Sequence, residues 1–371
     1  MKILNLIIFM LFLCSCTKNE QKGNIKTITF SENEKLNIND YISYKFIPLE
    51  TSNQCFISSI KQVKIIDNNI FINNDGNNLL VFDISGKFIT QIGNKGNGPG
   101  EYRLISNFHI DKNKGIITIA DGGQARIIDY KLENYEHIKT QKIFYFIDCC
   151  WLSDGNIAWY FVGGYKTTNE NRYFIKITNR DLKELKLLYP IDYDLQYPIS
   201  AGSHFYTLNK KCYLNLPHIP IIYEVTASEI SPVYQINLGT HKFAPEEWME
   251  REARKNYSAI VNTDYISAQN IKETNDYISI GYCAKGANAY IGFLNKKTEQ
   301  SCRYSLPEFI RQTGLTGTGI IINTFGDYFI TTLNSSVLKR NSNSKIPELK
   351  SICETINEED NPIICLIKPN L

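Results

Sequence analysis

The side chains that most often carry out catalysis are spread thinly along this chain. Five histidines lie in separate segments, without the His-x-His or His-x-x-x-His spacing that brings two imidazoles to one metal ion. They are His109, His137, His204, His218 and His241. No Gly-x-Ser-x-Gly turn marks a serine nucleophile, and no Cys-x-x-Cys pair has zinc-binding spacing. The sequence therefore favours a binding protein over an enzyme and gives no catalytic residue.

One thiol has a clear chemical role at the N-terminus. An apolar run, Ile3 to Leu13, is too short for a membrane-spanning helix, which needs about 20 residues, and has the size of a signal-peptide core. The run leads into Leu-Cys-Ser-Cys, which resembles the lipobox of bacterial lipoproteins. There a cysteine preceded by a small residue receives a diacylglycerol thioether, and Ser15 assigns that position to Cys16. Cys14 is an unusual residue for the position two places earlier.

These features predict three parts of the chain. We expect a lipoprotein signal peptide over residues 1–15, a tether and lead-in over 16–40, and one folded body over 41–371. The lipid at Cys16 would make a membrane the first partner and would place the protein in the cell envelope, anchored to the outer membrane. Which side of that membrane it faces stays open. The chain has 40 Lys and Arg against 38 Asp and Glu, mixed along its length, so no nucleic-acid partner is expected.

The remaining cysteines could form disulfides in an exported protein. Ten cysteines less Cys14 and Cys16 leave eight in the folded body. Cys283 with Cys302 is the pair to test first, because both belong to one repeat. For most of the others, buried free thiols are expected.

Short apolar segments bounded by Asn, Asp and Gly repeat along the folded body. The clearest copy reads strand, turn, strand, turn, strand from Asn69 to Gly93, and a second begins at Gly115. Weaker copies begin near Gly155, Lys211, Asp276 and Gly326. Starts that lie about 40 to 65 residues apart are typical of propeller blades, which must stack because one blade cannot bury both its faces.

The fold class predicted from these repeats is all-β, a six-bladed β-propeller. A strand-like run, Tyr44 to Leu49, precedes the first copy and would complete the last blade, joining the two ends of the chain. One helix is expected as an insertion at about 245–260, since Pro245 and early acidic residues suit a helix start. A pair of face-packed sheets is the alternative.

The densest glycine segment lies after the first copy. It is GNKGNGPGEY, and its defining residues are Gly96, Gly98, Pro99, Gly100, Glu101 and Tyr102. No Gly-Lys-Ser or Gly-Lys-Thr follows and no helix is expected there, so the phosphate-loop and dinucleotide interpretations fail. We interpret it as a compact connection between blades that Glu101 and Tyr102 fix in place. An anion held by its amides is the alternative.

This motif resembles the signature of a family of six-bladed β-propeller lipoproteins found in glycan-degrading Gram-negative bacteria and related to NHL-repeat propellers. Phe46 to Thr51 and Glu359 to Ile364 also agree with that family, so the resemblance covers almost the whole chain. It implies the fold and export, and its setting suggests glycans as ligands. It implies no catalytic residue.

Two functions follow as hypotheses. The first is a membrane-anchored, non-catalytic binding or scaffold propeller that recognises a glycan, a peptide or an envelope protein. Trp151, Trp159, Tyr160 and Tyr165 are candidate ligand contacts, although packing between blades explains any one of them as well. The alternative is a lactonase-like hydrolase or lyase that uses a divalent cation such as calcium in the channel. No cofactor or metal ligand is assigned for the first hypothesis.

Overall fold

Six four-stranded units surround a common axis in the computed structural model. The structure describes residues 25–32, 37–168, 171–191, 204–253, 256, 259, 262–284, 288–318, 320–340, 344 and 346–371. The predicted signal peptide and Cys16 lie outside the described residues. The prediction of an all-β six-bladed propeller is confirmed, and the face-packed alternative is excluded by the six separate sheets.

The strands have the following bounds. In the first half they are β1 (Lys26–Thr29), β2 (Ile42–Pro48), β3 (Ile60–Ile66), β4 (Asn69–Asn74), β5 (Asn78–Asp83), β6 (Phe88–Ile92), β7 (Asn94–Lys95), β8 (Glu101–Tyr102), β9 (Ile105–Asp111), β10 (Ile116–Asp121), β11 (Arg126–Lys131), β12 (His137–Lys142), β13 (Asp148–Trp151), β14 (Ile157–Lys166), β15 (Arg172–Thr178) and β16 (Glu184–Ile191). In the second half they are β17 (Phe205–Leu208), β18 (Lys211–Asn215), β19 (Ile221–Val225), β20 (Ile230–Asn237), β21 (Ala268–Glu273), β22 (Tyr277–Ala284), β23 (Asn288–Asn295), β24 (Ser301–Ser305), β25 (Asn323–Phe325), β26 (Tyr328–Leu333) and β27 (Ile363–Pro369).

Each blade is an antiparallel meander that starts at the axis. Blades 1 to 5 consist of β3–β6, β9–β12, β13–β16, β17–β20 and β21–β24. Their middle strands are buried on both faces, as in β4, where every residue after Asn69 is buried. A middle strand is covered by a neighbouring blade on each side, which explains why the sequence copies read as continuous apolar runs rather than alternating ones.

Blade 6 contains both ends of the chain. Its inner strands β25, β26 and β27 come from the C-terminus, and β2 pairs with β27 antiparallel in seven-residue register, with Phe46 opposite Cys365. The predicted closure by the N-terminal run is therefore confirmed. β2 covers the edge of β27 and so joins the two ends of the chain in one sheet.

Part of the expected lead-in belongs to the propeller. β1 adds a fifth strand to blade 4 by parallel pairing with β20, and Phe30 continues this pairing with a bond from its N–H to the Asn237 carbonyl. On blade 5, Glu32 pairs with the buried Arg303 at 2.9 Å, and Lys26 pairs with Glu299 at 2.8 Å. The N-terminal segment thus holds blades 4 and 5 together from outside.

Within the part of the chain that the structure describes, a 3-10 helix (Ile38–Tyr41) and four α-helices interrupt the strands. The predicted insertion begins at Glu246 with α1 (Glu246–Trp248) and continues as a π-helix over Met249–Ala253. Beyond the single helix expected from sequence are α2 (Leu306–Thr313), α3 (Ser335–Arg340) and α4 (Pro347–Thr355). The last two lie between β26 and β27. Among the described residues, no helix has the length and apolar character that a membrane crossing requires.

The eight cysteines of the described residues are all free. The suggested Cys283–Cys302 disulfide is not formed, because β23 separates the two strands that carry these residues. Cys283 lies opposite Ala289 and Cys302 lies opposite Phe293. Seven of the thiols are buried, as expected for most of them, and Cys283 is partly exposed.

Candidate functional site: the channel and the loop face

Polar side chains on the inner strands join one blade to the next. Gln62 of blade 1 donates from Nε2 to Asn107 Oδ1 of blade 2 at 2.9 Å, and Asn107 Nδ2 donates to Asp148 Oδ1 of blade 3 at 2.9 Å. The other oxygen of Asp148 accepts the backbone N–H of His204, which precedes blade 4, at 2.9 Å. Four successive blades are thereby connected at the axis.

The same kind of contact completes the circle. Gln269 Nε2 of blade 5 donates to Asn215 Oδ1 of blade 4 at 2.8 Å, and Asn270 Nδ2 donates to the Ile321 carbonyl before blade 6 at 2.8 Å. Asn323 Nδ2 of blade 6 then donates to the Val63 carbonyl of blade 1 at 2.7 Å. Hydrogen bonds from side chains therefore fasten every neighbouring pair of blades.

The inner strands also bring charged groups to the channel. Lys64 lies on β3 of blade 1 and Lys272 on β21 of blade 5, and both interact electrostatically with Asp148 of blade 3. Blades 1, 3 and 5 are not neighbours, so these interactions cross the channel. Burial lowers the pKa of Lys272 to about 8, and the negative charge of Asp148 acts in the opposite direction. Burial also lowers the pKa of Lys64.

Amide, carboxylate and imidazole groups therefore do converge in the channel, but they bind one another. The Asp148 carboxylate accepts bonds from Asn107, from the His204 backbone and from the Cys149 N–H. Among the residues that the structure describes, no three His, Cys, Asp or Glu side chains form a group that could hold a metal ion. This arrangement gives no support to the alternative of a cation-dependent hydrolase.

The histidines have structural surroundings. His109 stacks on Trp151 with ring centroids 4.9 Å apart, and His204 stacks on Tyr160 at 4.1 Å. Burial lowers the pKa of His109 to about 2 and that of His204 below its ordinary value, so both are neutral at pH 7. His241 Nδ1 lies 2.7 Å from the Tyr282 hydroxyl.

The glycine motif forms the connection from blade 1 to blade 2. The Gly98 N–H donates to Glu101 Oε2 at 2.7 Å, and the Gly96 N–H donates to the Tyr102 carbonyl at 2.9 Å. The buried Tyr102 hydroxyl donates to the Ile92 carbonyl at 2.9 Å. Gly100 has a φ of +72°, and a Cβ there would overlap the ring of His137. Pro99 is exposed at the tip. The amides of Gly96, Gly98 and Glu101 are thus bonded within the loop, which does not favour the anion-binding alternative.

Blade 2 holds the end of this connection. Arg126 is buried and pairs with Asp121 at 3.1 Å, and its guanidinium also donates to the Glu101 carbonyl. Asp121 in turn accepts the backbone N–H groups of Arg103 and Leu104 at 3.2 and 3.0 Å. Leu104, which immediately precedes inner strand β9, is therefore held in place by hydrogen bonds.

The two other segments that agree with the family, Phe46 to Thr51 and Glu359 to Ile364, meet at the junction of blades 6 and 1. Asn361 Nδ2 donates to the Glu50 and Cys55 carbonyls at 2.6 and 2.8 Å, and its Oδ1 accepts the Ile57 N–H at 2.7 Å. Asn74 donates to the carbonyl of Phe56 at 3.0 Å. These bonds fix a loop whose most exposed apolar residue is Phe56.

The connections between blades lie on one face of the ring. Each blade has four antiparallel strands. The connection from the outer strand of one blade to the inner strand of the next blade therefore lies on the same face of the ring as the turn between the second and third strands of each blade. We call this the loop face. Of the nine large apolar side chains that are exposed among the described residues, five are on it. They are Phe56 (55 % exposed), Leu104 (44 %), Tyr145 (68 %), Ile320 (56 %) and Val337 (36 %).

Phe56 borders a depression on this face. A groove of about 300 Å³ lies between its loop and the segments around α3 and β27. Asn334, Ser336 and Glu359 are among its polar lining residues. An exposed phenyl ring beside amide, hydroxyl and carboxylate groups suits a ligand with an apolar face and hydrogen-bonding edges.

The aromatic residues that were candidates from sequence are located elsewhere. Trp159 is fully buried and Tyr160 is 2 % exposed, because β14 is a middle strand covered by blades on both sides. Trp151 is buried against His109, and Tyr165 packs on Phe161 at 5.1 Å. Packing between blades therefore accounts for Trp159 and Tyr160, and no ligand can reach either ring in this structure. The sequence analysis missed the loop-face residues because single apolar residues in loops give no periodic pattern.

Comparisons with known proteins agree with this fold. The profile of the DUF5128 family, described as a 6-bladed beta-propeller, matches residues 16–332. A Bacteroides fragilis protein described as exported superposes with a TM-score of 0.86 at 25% identity, covering 93% of this chain and 100% of that one. A DUF4221 family member from Bacteroides vulgatus has a TM-score of 0.56 at 12% identity, covering 89% and 99%. No curated protein matches the chain significantly in sequence.

Proposed function

Because the chain belongs to the DUF5128 family of six-bladed β-propellers, and is similar to an exported Bacteroides protein, we propose that it is an envelope lipoprotein that binds ligands through its loop face. The observation that carries this proposal is the set of five exposed apolar side chains on that face. Exposed apolar side chains that share one face of a rigid fold mark a candidate binding surface.

The surroundings of these side chains support a binding role. The loops with Phe56 and Leu104 are fixed by buried Asn361, Asn74, Asp121 and Arg126, so little conformational entropy is lost when a ligand orders them. The groove beside Phe56 has a volume at the lower end of small-molecule sites. Together they favour a glycan or an extended peptide, which offers apolar faces and polar edges.

A second part of the proposal is the anchor. Cys16 carries the diacylglycerol thioether, and the protein is held at the outer membrane. Eight residues separate Cys16 from Ile25, where the described chain begins, and they reach at most about 30 Å when extended. The propeller is thus kept near the membrane surface.

The binding function is tested with the body from residue 24 onward on glycan and peptide arrays. We expect saturable binding to one class of compounds, and a protein that binds neither class would contradict the proposal. The anchor is tested separately by labelling cells with an alkyne fatty acid. Cys16→Ser should abolish the label, whereas the matched Cys14→Ser variant should keep it. Equal labelling of both variants would refute lipidation at Cys16.

A further inference from the structure

The groove beside Phe56 carries a negative charge. Three successive carboxylates line it, and the described residues of its lining include no lysine, arginine or histidine. The carboxylates belong to Glu358, Glu359 and Asp360. Arg340 neutralises the first of them, since its Nε donates to Glu358 Oε2 at 2.8 Å. Three carboxylates against this one guanidinium leave two negative charges at the groove.

The two remaining carboxylates have no cation among the described residues. Glu359 is exposed, and within that part of the chain its side chain forms no hydrogen bond or ion pair. Asp360 accepts the backbone N–H of Asn357 at 2.7 Å through Oδ2 alone. The ammonium group of Lys339 on α3 is engaged elsewhere, since it donates to two carbonyls near the end of α4 at 3.2 and 3.3 Å. The groove therefore offers a ligand carboxylate oxygens that are not yet neutralised.

One buried amide fixes the phenyl ring relative to these carboxylates. Asn361 directly follows Asp360 in the chain, and its side chain binds the backbone on both sides of Phe56. The contacts are with the Cys55 carbonyl at 2.8 Å and the Ile57 N–H at 2.7 Å. An aromatic ring and carboxylates that border one groove attract a cation together, the ring through its negative face and the carboxylates through charge-assisted hydrogen bonds.

Charge and size indicate which class of ligand fits. Arginine and lysine side chains have a cationic end and an apolar stem, which match the carboxylates and the phenyl ring. A volume of about 300 Å³ accommodates side chains of a short segment rather than a folded domain. A neutral glycan has no cation for the carboxylates, and an anionic glycan is repelled by them. The groove therefore favours a basic peptide over a glycan.

We propose that this groove binds an arginine or lysine side chain presented by an extended segment of a partner protein, with the cation between the Phe56 ring and the Glu359 and Asp360 carboxylates. The inference rests on the binding function proposed for the loop face and narrows its ligand to a basic peptide. Because the attraction is electrostatic and the groove is open to solvent, binding weakens as the salt concentration rises.

The test compares pools of heptapeptides that differ only at the central position. The full chain, purified in a neutral detergent, is titrated with pools that carry Arg, Lys, Gln or Glu at the centre, random flanking residues and a neutral fluorophore. Fluorescence anisotropy measures the affinity. We expect the Arg and Lys pools to bind about fivefold more tightly than the Gln pool, and the Glu pool to bind most weakly. A Glu pool that binds as tightly as the Arg pool would overturn the proposal.

Matched variants assign the preference to the groove. Glu359→Gln removes one charge at nearly constant shape, so it should weaken binding of the Arg pool about fivefold and leave the Gln pool nearly unchanged. Phe56→Leu keeps an apolar side chain without a π-face and should weaken the Arg pool about threefold. Glu354→Gln, exposed on α4 outside the groove lining, is the control and should bind as the wild type does. Equal affinity of Glu359→Gln and the wild type for the Arg pool would contradict the assignment.

A glycan array with the same protein distinguishes failure of this inference from failure of the proposed function. Binding to neutral glycans, without a preference for the Arg and Lys pools, would overturn the basic-peptide ligand and leave the loop face as a binding surface. Absence of binding to every pool and every glycan would overturn both.

Discussion

The side-chain amide of Asn361 lies 2.6 Å from the carbonyl oxygen of Glu50, a residue 311 positions earlier in the chain. The contact joins the segment before β27 to the segment after β2, which is the outer strand of the same blade. Asn361 also binds the backbone on both sides of Phe56, through the Cys55 carbonyl and the Ile57 N–H. The closure of the propeller and the position of the exposed Phe56 side chain therefore depend on one buried amide.

Asn361→Ala should destabilise the protein by about 2–4 kcal/mol, because it removes three hydrogen bonds and leaves a buried N–H without an acceptor. Urea unfolding followed by tryptophan fluorescence measures this. Asn357→Ala is the control, since Asn357 is exposed in the same segment, and it should change the free energy of unfolding by less than about 0.5 kcal/mol. Equal midpoints for Asn361→Ala and the wild type would contradict the role given to this amide.

The glycine motif predicts a coupling between Gly96 and Glu101. A Cβ on Gly96 would overlap the Glu101 carboxylate and displace it from the Gly98 N–H. Gly96→Ala and Glu101→Ala should each cost about 1–2 kcal/mol, and the double variant should cost clearly less than the sum, because both remove the same bond. Additive free energies in the double-mutant cycle would show that the two residues act independently.

The buried ammonium of Lys272 predicts a pH dependence of stability. The folded chain releases this proton near pH 8, whereas the unfolded chain keeps it to its ordinary pKa of 10.5. Between these values the unfolded chain holds more protons, so the free energy of unfolding rises with pH across this window and is lowest below it. Relative to Lys272→Met, the wild type should gain about 2–3 kcal/mol between pH 7 and pH 10. Denaturant unfolding at both pH values measures the gain, and a constant difference would contradict it.

The thiols give a prediction that distinguishes the free cysteines of the structure from the Cys283–Cys302 disulfide suggested by the sequence. In the folded body, Cys283 should react first with a maleimide, since it is the one partly exposed cysteine among the described residues. The buried thiols should react only after unfolding, and mass spectrometry should find eight labels on the denatured, unreduced body. Six labels would indicate a disulfide, and the peptide map would show whether it joins Cys283 to Cys302.

Much of the fold is predictable from local sequence. The middle strands are covered on both sides, so their apolar runs mark all six blades, and the Tyr44 to Leu49 run marks the closing strand. The inner strands are harder to detect because they contain polar residues that face the channel, such as Gln62 and Lys64 on β3. The short helices α3 and α4 lie between two strands of blade 6. Because they are not part of the repeated strand unit, the repeat pattern does not predict them.

The candidate site is predicted less well, for a physical reason. Clustered aromatic residues such as Trp159 and Tyr160 suggested a binding surface, but strong β-propensity places them in the centre of a blade. Phe56 and Tyr145 are single apolar residues in loops, and only the arrangement of the blades in the propeller places them on one face. The hydrogen bonds from Gln62 to Asn107 and from Asn107 to Asp148 across three blades likewise depend on long-range topology that no local spacing encodes.

The central claim is that the loop face is the binding surface, and one comparison tests it most directly. The double variant Phe56→Ser with Tyr145→Ser and its control, Ile89→Ser with Ile138→Ser on the exposed outer strands, are applied to the same glycan and peptide arrays as the wild type. We predict that the loop-face variant loses about tenfold or more in apparent affinity for the array ligand while the control binds as the wild type does. Undiminished binding by the loop-face variant, with both variants folded, would contradict the account.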